Sequence, residues 1–178
     1  MKTVKINRYQ LGIRRTFPTT HPQKGKPTYF VEKIQLGLGL ITELPGDCVI
    51  DLEPKLHILR ANNIFRTNVP LWKKRMEEVM SGHAIIELFY WEGNPCSNKQ
   101  VVFAVLDKDS GCGVQKIYLK REFFKTNWVV DQSEFQDQLL STIAKNDGLS
   151  LDDFKEYFKS YDLSKPMEII QFTKFRYK

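Results

Sequence analysis

No run of about 18 apolar residues occurs in the chain, and the longest apolar stretch, Ala84 to Trp91, is broken by Glu87 and bounded by Gly82 and Gly93. A membrane-spanning helix is therefore not expected. Cysteine is scarce: Cys48, Cys96 and Cys112 are odd in number and widely spaced, which argues against a disulfide framework and for free thiols in a reducing compartment, the cytoplasm. Histidine is as sparse, and His21, His57 and His83 never approach the cysteines or one another at C-x-x-C or H-x-x-x-H spacing, so neither a zinc site nor any other metal or cofactor is expected. The chain lacks a P-loop and a G-x-S-x-G elbow. Gly37 and Gly39 lack the third glycine of a dinucleotide fingerprint and read as a helix exit. Met1 to Arg15 has no apolar core segment, so it is not read as a secretory signal. Asp147 to Phe154 has the outline of half a calcium loop, but Phe154 stands where a bidentate Glu is required, and a helix capped by Ser150 accounts for the segment.

What remains is the make-up of one soluble domain: 178 residues, 42% hydrophobic, 12% aromatic and 27% charged. That length buries about 70% of the unfolded surface and needs no staple. The net charge is +6, and its distribution is uneven. Residues 1–33 carry eight Lys and Arg against Glu32 alone, a local +7; residues 34–54 carry four acids and no base. Residues 55–75 carry six bases and no acid, a local +6, and residues 122–168 carry ten acids against five bases. Two basic stretches that meet in the fold make a patch suited to phosphate, with the acidic half turned away.

Local signals predict the elements. Lys26 to Ile34 reads as a short helix with Pro27 in its first turn and Phe30 and Ile34 on one face. The Phe17 to Pro27 loop before it, with its prolines, threonines and glycine, reads as exposed and mobile. Leu56 to Arg60 reads as a strand. A clearer helix follows, capped by Asn68, with Pro70 near its start, Trp72, Met76, Val79 and Met80 inward, and Gly82 as its stop. Ala84 to Trp91, Gln100 to Leu106 and Gly113 to Leu119 read as an antiparallel meander. Two helices are expected next: Ser133 to Ala144, with Phe135, Leu139, Leu140 and Ile143 inward, and one opened by the box Ser150-x-x-Asp153. A strand from Met167 to Phe175 closes the chain. The fold class is α+β, with a mostly antiparallel sheet or small barrel, in a single domain over residues 1–178.

The segment Glu53-Pro54-Lys55-Leu56-His57-Ile58-Leu59-Arg60 resembles the G-x-K-x-x-T-x-R signature of the ASCH family, with Lys55 and Arg60 at its Lys and Arg positions. The order of the surrounding elements is also similar over about residues 28–120, leaving 121–178 as a C-terminal helical extension. The resemblance implies a small β-barrel like that of PUA domains, found in phage and bacterial proteins, with an RNA- or nucleotide-related cleft. In some members it implies an amidohydrolase of modified nucleosides, using Lys, Thr and Glu. Here Glu53 replaces the Gly and Ile58 the Thr, so the Thr hydroxyl is absent. Lys55 is then the one catalytic candidate, with Asp51, Glu87 and Asp107 as carboxylates by type alone.

Binding asks for less than catalysis. Lys55, Arg60, Asn62, Arg66, Lys73, Lys74 and Arg75 form the candidate nucleic-acid site, gathering from a strand end, a loop and a helix start where free N–H groups favour phosphate. Tyr90, Trp91 and Tyr118 are candidate stacking surfaces. The expected function is binding of RNA or single strands. Alternatives are the amidohydrolase, and a protein-interaction module using the N-terminal loop and the acidic C-terminal helices.

Overall fold

A computed structural model of the protein describes residues 6–45, 60–93, 99–122, 125–135 and 138–178. Along the chain run β1 (Asn7–Gly12), α1 (Phe30–Gly37), β2 (Asn63–Arg66), α2 (Val69–Met80), β3 (Ala84–Trp91), β4 (Gln100–Leu106), β5 (Gly113–Glu122), β6 (Lys125–Val130), β7 (Ser133–Phe135), α3 (Gln138–Asn146), α4 (Leu151–Phe158) and β8 (Met167–Gln171). The class is α+β with mostly antiparallel strands, and no helix among the described residues is long and apolar enough to cross a membrane.

The strands do not close into the expected barrel. They form two sheets, one ordered β1-β3-β4 and one ordered β2-β8-β5-β6-β7. The meander breaks at its second turn. β3 and β4 pair antiparallel as expected, but β5 leaves to pair with β8 and β6. The turn itself explains the departure: Asp107 Oδ1 accepts hydrogen bonds from the Asp109 and Ser110 amides at 3.0 and 2.9 Å, Gly111 takes φ 71°, and Cys112 is buried immediately after. β1, with only Leu11 fully inward, pairs parallel to β3 with Leu11 opposite Leu88. The Met167 strand ends at Gln171 and lies between β2 and β5, buried on both faces.

One apolar core runs from Leu11 to Tyr177 and includes Trp128, Ile143, Phe154 and Phe172, so the residues after 120 supply β6, β8, α3 and α4 to the core rather than a helical appendage. Helix α2 packs on β3, β5 and β8 and thereby joins the two sheets. Asn68 Oδ1 caps it by accepting from the Leu71 amide at 3.2 Å, Trp72, Met76 and Val79 face inward, and Met80 is 60% exposed, against expectation, because the helix ends there.

Other expectations shift. Ser133–Phe135 is a strand paired with β6, and the helix begins at Gln138. α1 begins at Phe30, after Tyr29 in a left-handed conformation at φ 54°, so Pro27 stands outside it; Phe30 and Ile34 are buried as expected. Of the predicted strand Leu56 to Arg60, only Arg60 is described, and it is outside any strand.

The loop from Phe17 to Pro27 is fastened rather than free. His21 is buried, stacks on Phe17 at 4.4 Å, accepts from the Gln23 amide at Nδ1 and donates through Nε2 to Asp153 O at 3.2 Å. Gln23 Nε2 adds a bond to Asp153 Oδ1 at 2.7 Å. Asp153 is itself the third residue after Ser150, whose Oγ accepts from the Asp153 amide to cap α4 as the sequence predicts. The same acid holds the helix start and the loop.

Candidate functional site

The loop, α1, β2 and α4 enclose a cavity of about 510 Å³, within the roughly 300–1,000 Å³ of small-molecule sites. Its floor is apolar: Phe30 and Ile34 of α1, Phe65 of β2, Phe158 of α4 and Met167 of β8. Phe65 sits edge-to-face against Phe154 and Phe158 at 5.7 and 5.1 Å, which fixes α4 over β2. Its mouth is polar, with Arg14, Thr19 and Thr20 on one side and Tyr157, Ser160 and Tyr161 on the other.

Arg66, at the end of β2, is the cation built most firmly into the wall. Its Nη1 donates to Phe65 O at 2.9 Å and its Nη2 to Gly12 O at 2.8 Å. Burial lowers its pKa, and the nearby Tyr157 and Asp147 act against that. Asp147 is only 6% exposed, and burial holds its carboxyl well above the usual range against the pull of Arg66 and then Lys33. Tyr157 is also raised by burial, with Arg14 opposing.

The backbone explains why an acid reaches this depth. α3 ends at Asn146, and the Asp147 amide still bonds Ile143 O at 3.0 Å. Gly148 follows at φ 77°, where a Cβ would lie 3.1 Å from Lys33 Cδ and 3.2 Å from Ala61 Cβ. Asp147 bridges Ala61, and Asn62 N bonds Asn146 O at 2.7 Å, so the turn is pinned to the approach of β2. Lys33 Nζ donates to Gly148 O at 2.7 Å from the other side.

The predicted site set is dispersed. Arg66 lines the cavity; Lys55, with Asp51 and His57, lies outside the described residues. Arg60 is exposed just before Ala61. Asn62 is structural, its Nδ2 donating to Asn146 Oδ1 at 3.4 Å and its carbonyl accepting from Phe172 N at 2.8 Å. Lys73, Lys74 and Arg75 belong to α2, where the Arg75 guanidinium lies 4.9 Å from the centres of both Tyr9 and Trp72. Neither Asn62, Arg60 nor the three α2 cations line the cavity.

The stacking candidates are elsewhere as well. Tyr90 lies under Arg15 at 4.9 Å, and Trp91 sets its edge against Phe89 at 5.8 Å. Glu87 pairs with Arg8 at 2.6 Å, and Asp107 is held below the usual range by its bond from Ser110 Oγ while it shapes the turn. Among the described residues no group of three His, Cys, Asp or Glu is placed to hold a metal ion.

Asn63, which the sequence groups with Arg60, Asn62 and Arg66, lines the cavity; Arg14, Asp147, Tyr157 and Tyr161 are not expected there from the sequence alone. Arg14 belongs to the basic N-terminal stretch, a signal present but not localised. Asp147 follows a helix and precedes a glycine, which marks a turn but not its depth. Comparison of the chain with family models, curated proteins and solved structures finds no match.

Proposed function

We propose that the protein binds nucleic acid, RNA or single strands, through the cleft between the N-terminal loop, β2 and α4. The observation that carries this is the pairing of two cations, Arg14 and Arg66, with the Tyr157 and Tyr161 side chains around one cavity of nucleotide-sized volume. A phosphate meets the arginines, and an unstacked base lies against the aromatic wall. Double strands do not present a base this way, so single strands are the preferred ligand. The basic N-terminal segment supports the same reading, since Arg15, Lys24 and Lys26 are exposed in the segment that forms the mouth. The ASCH-like Lys55 and Arg60 point to the same ligand class. No hydrolytic step is proposed, because Ile58 leaves the amidohydrolase reading without its hydroxyl.

The test is fluorescence anisotropy with labelled single-stranded RNA and duplex DNA across a salt series, for the parent protein and Arg14→Ala. Tighter binding of the single strand, falling log-linearly with salt and with the slope reduced by about one in Arg14→Ala, supports the proposal. No binding at about 50 mM salt, or a slope indifferent to Arg14, overturns it.

A further inference from the structure

We infer that the cleft takes the end of a strand, with a terminal phosphate held jointly by the guanidinium groups of Arg14 and Arg66 and the hydroxyls of Tyr157 and Tyr161. This rests on the nucleic-acid reading above and adds which part of the strand is held.

All four residues line the cavity, and their ends converge. The Arg66 charge interacts with the Tyr157 and Tyr161 hydroxyls, with Asp147 and with the like charge of Arg14. The Tyr157 hydroxyl interacts in turn with Arg14, Asp147 and Tyr161. Each group is fixed from behind. Thr28 Oγ1 donates to Arg14 O at 2.9 Å, which holds the Arg14 backbone against the approach to α1, and Arg66 is held by its bonds to Phe65 O and Gly12 O. The Tyr157 ring packs edge-to-face on Phe30 at 6.3 Å and tilted on Phe158 at 5.5 Å, and the Tyr161 ring lies 5.3 Å from Phe158.

The outward ends are unclaimed. Among the described residues neither tyrosine hydroxyl makes a hydrogen bond, and the Arg14 guanidinium makes neither a hydrogen bond nor an ion pair, although Arg15 beside it pairs with Glu32 at 3.9 Å. Arg14 is exposed and Tyr161 is 43% exposed, so both meet solvent at the mouth. The Tyr157 hydroxyl, unpartnered, is not sealed from solvent either.

Charge then selects the group. Asp147 is the only carboxylate lining the cavity among the described residues, is 6% exposed and forms no ion pair with either arginine. Two guanidinium charges within reach of each other, with no acid in contact, favour a ligand that brings two negative charges to one place. A phosphomonoester carries about two at neutral pH and three terminal oxygens for the donors around it. A diester inside a strand carries only one. The floor of Phe30, Ile34, Phe65 and Phe158 offers no partner to a diester, which would lose its hydration there. A strand entering by the polar mouth therefore ends in the cavity instead of running through it.

The measurement is fluorescence anisotropy of the full chain with one short single-stranded RNA, labelled internally and carrying a 5′-phosphate, a 3′-phosphate or hydroxyls at both ends. The expected result is that one of the phosphorylated forms binds at least about tenfold tighter than the hydroxyl-ended RNA. Tyr157→Phe, which keeps the ring and removes the hydroxyl, and Arg14→Ala should each shrink that ratio about threefold or more. Equal binding of all three RNAs by the parent overturns the terminal-phosphate assignment, as does a preference that both variants leave unchanged. If the hydroxyl-ended RNA is bound in either case, the nucleic-acid reading stands without the assignment; if no form of the RNA is bound, both fall.

Discussion

Arg66 Nη2 donates to Gly12 O at 2.8 Å, so the end of β2 in the five-stranded sheet is tied to the end of β1 in the three-stranded sheet. The same guanidinium reaches back to Phe65 O. A planar fork makes both bonds at once, and an ammonium does not. Arg66→Lys is expected to lower stability by about 1–2 kcal/mol, read as a lower urea midpoint with unchanged slope. A midpoint equal to the parent's contradicts this role.

Glu168 lies in the centre of the second sheet, opposite Arg66 on β2 and Lys116 on β5, and is 3% exposed with Oε2 unpartnered. Burial first, then Asp131, raises its pKa from 4.5 to about 7, against the pull of Lys116 and Lys73. The folded state therefore holds this proton more tightly than the unfolded state. The contribution of Glu168 to stability is greatest below the unfolded value, declines as pH rises, and is fully lost above about 7. Glu168→Gln should match the parent's urea midpoint near pH 4 and exceed it at pH 8. A difference that is the same at both values refutes the assignment.

His21 ties the loop to α4 through its Nε2 bond to Asp153 O and organises the loop itself through its stack on Phe17 and the bond it accepts from the Gln23 amide. His21→Leu keeps an apolar side chain but removes those bonds, each worth about 0.5–1.5 kcal/mol. Cleavage by trypsin after the exposed Lys24 should accelerate roughly 5–10-fold while the rest of the chain stays resistant. An unchanged rate means the loop is held by other contacts.

Gly37 closes α1 against the chain that leads into β2. A Cβ there would press on the Ala61 carbonyl oxygen closer than real contacts allow and lie 3.0 Å from Asn62 Oδ1. Gly37→Ala should therefore cost about 1–3 kcal/mol by forcing that backbone away. Because Ala61 and Asn63 line the cavity, RNA binding should weaken along with the thermal midpoint. Loss of neither shows that the strand yields freely.

The elements with strong local signals were legible: the Asn68 cap and the Trp72, Met76 and Val79 stripe of α2, the β3–β4 pair, and the Ser150 box of α4. What failed depends on long-range pairing. β1 presents a single buried residue, Leu11, and exists because β3 offers a parallel edge 77 residues later in the chain. β5 reads like a third strand of a meander, yet its partner β8 comes from the far end of the sequence. The site suffers most, because charge runs give composition and not proximity. The basic residues at 73–75 ride a helix that joins the two sheets, while Arg14 and Arg66, distant in sequence, share one cavity.

The most direct test of the account is to locate the bound strand. Single-stranded RNA carrying 4-thiouridine is irradiated with the full-length protein, and the crosslinked peptides are mapped by mass spectrometry. Crosslinks are expected at the cleft, on the peptides bearing Tyr157 and Tyr161 and on the loop bearing Thr19 and Thr20. Crosslinks confined to α2 around Lys73 to Arg75, or to the β3–β4 surface around Trp91, would contradict this placement.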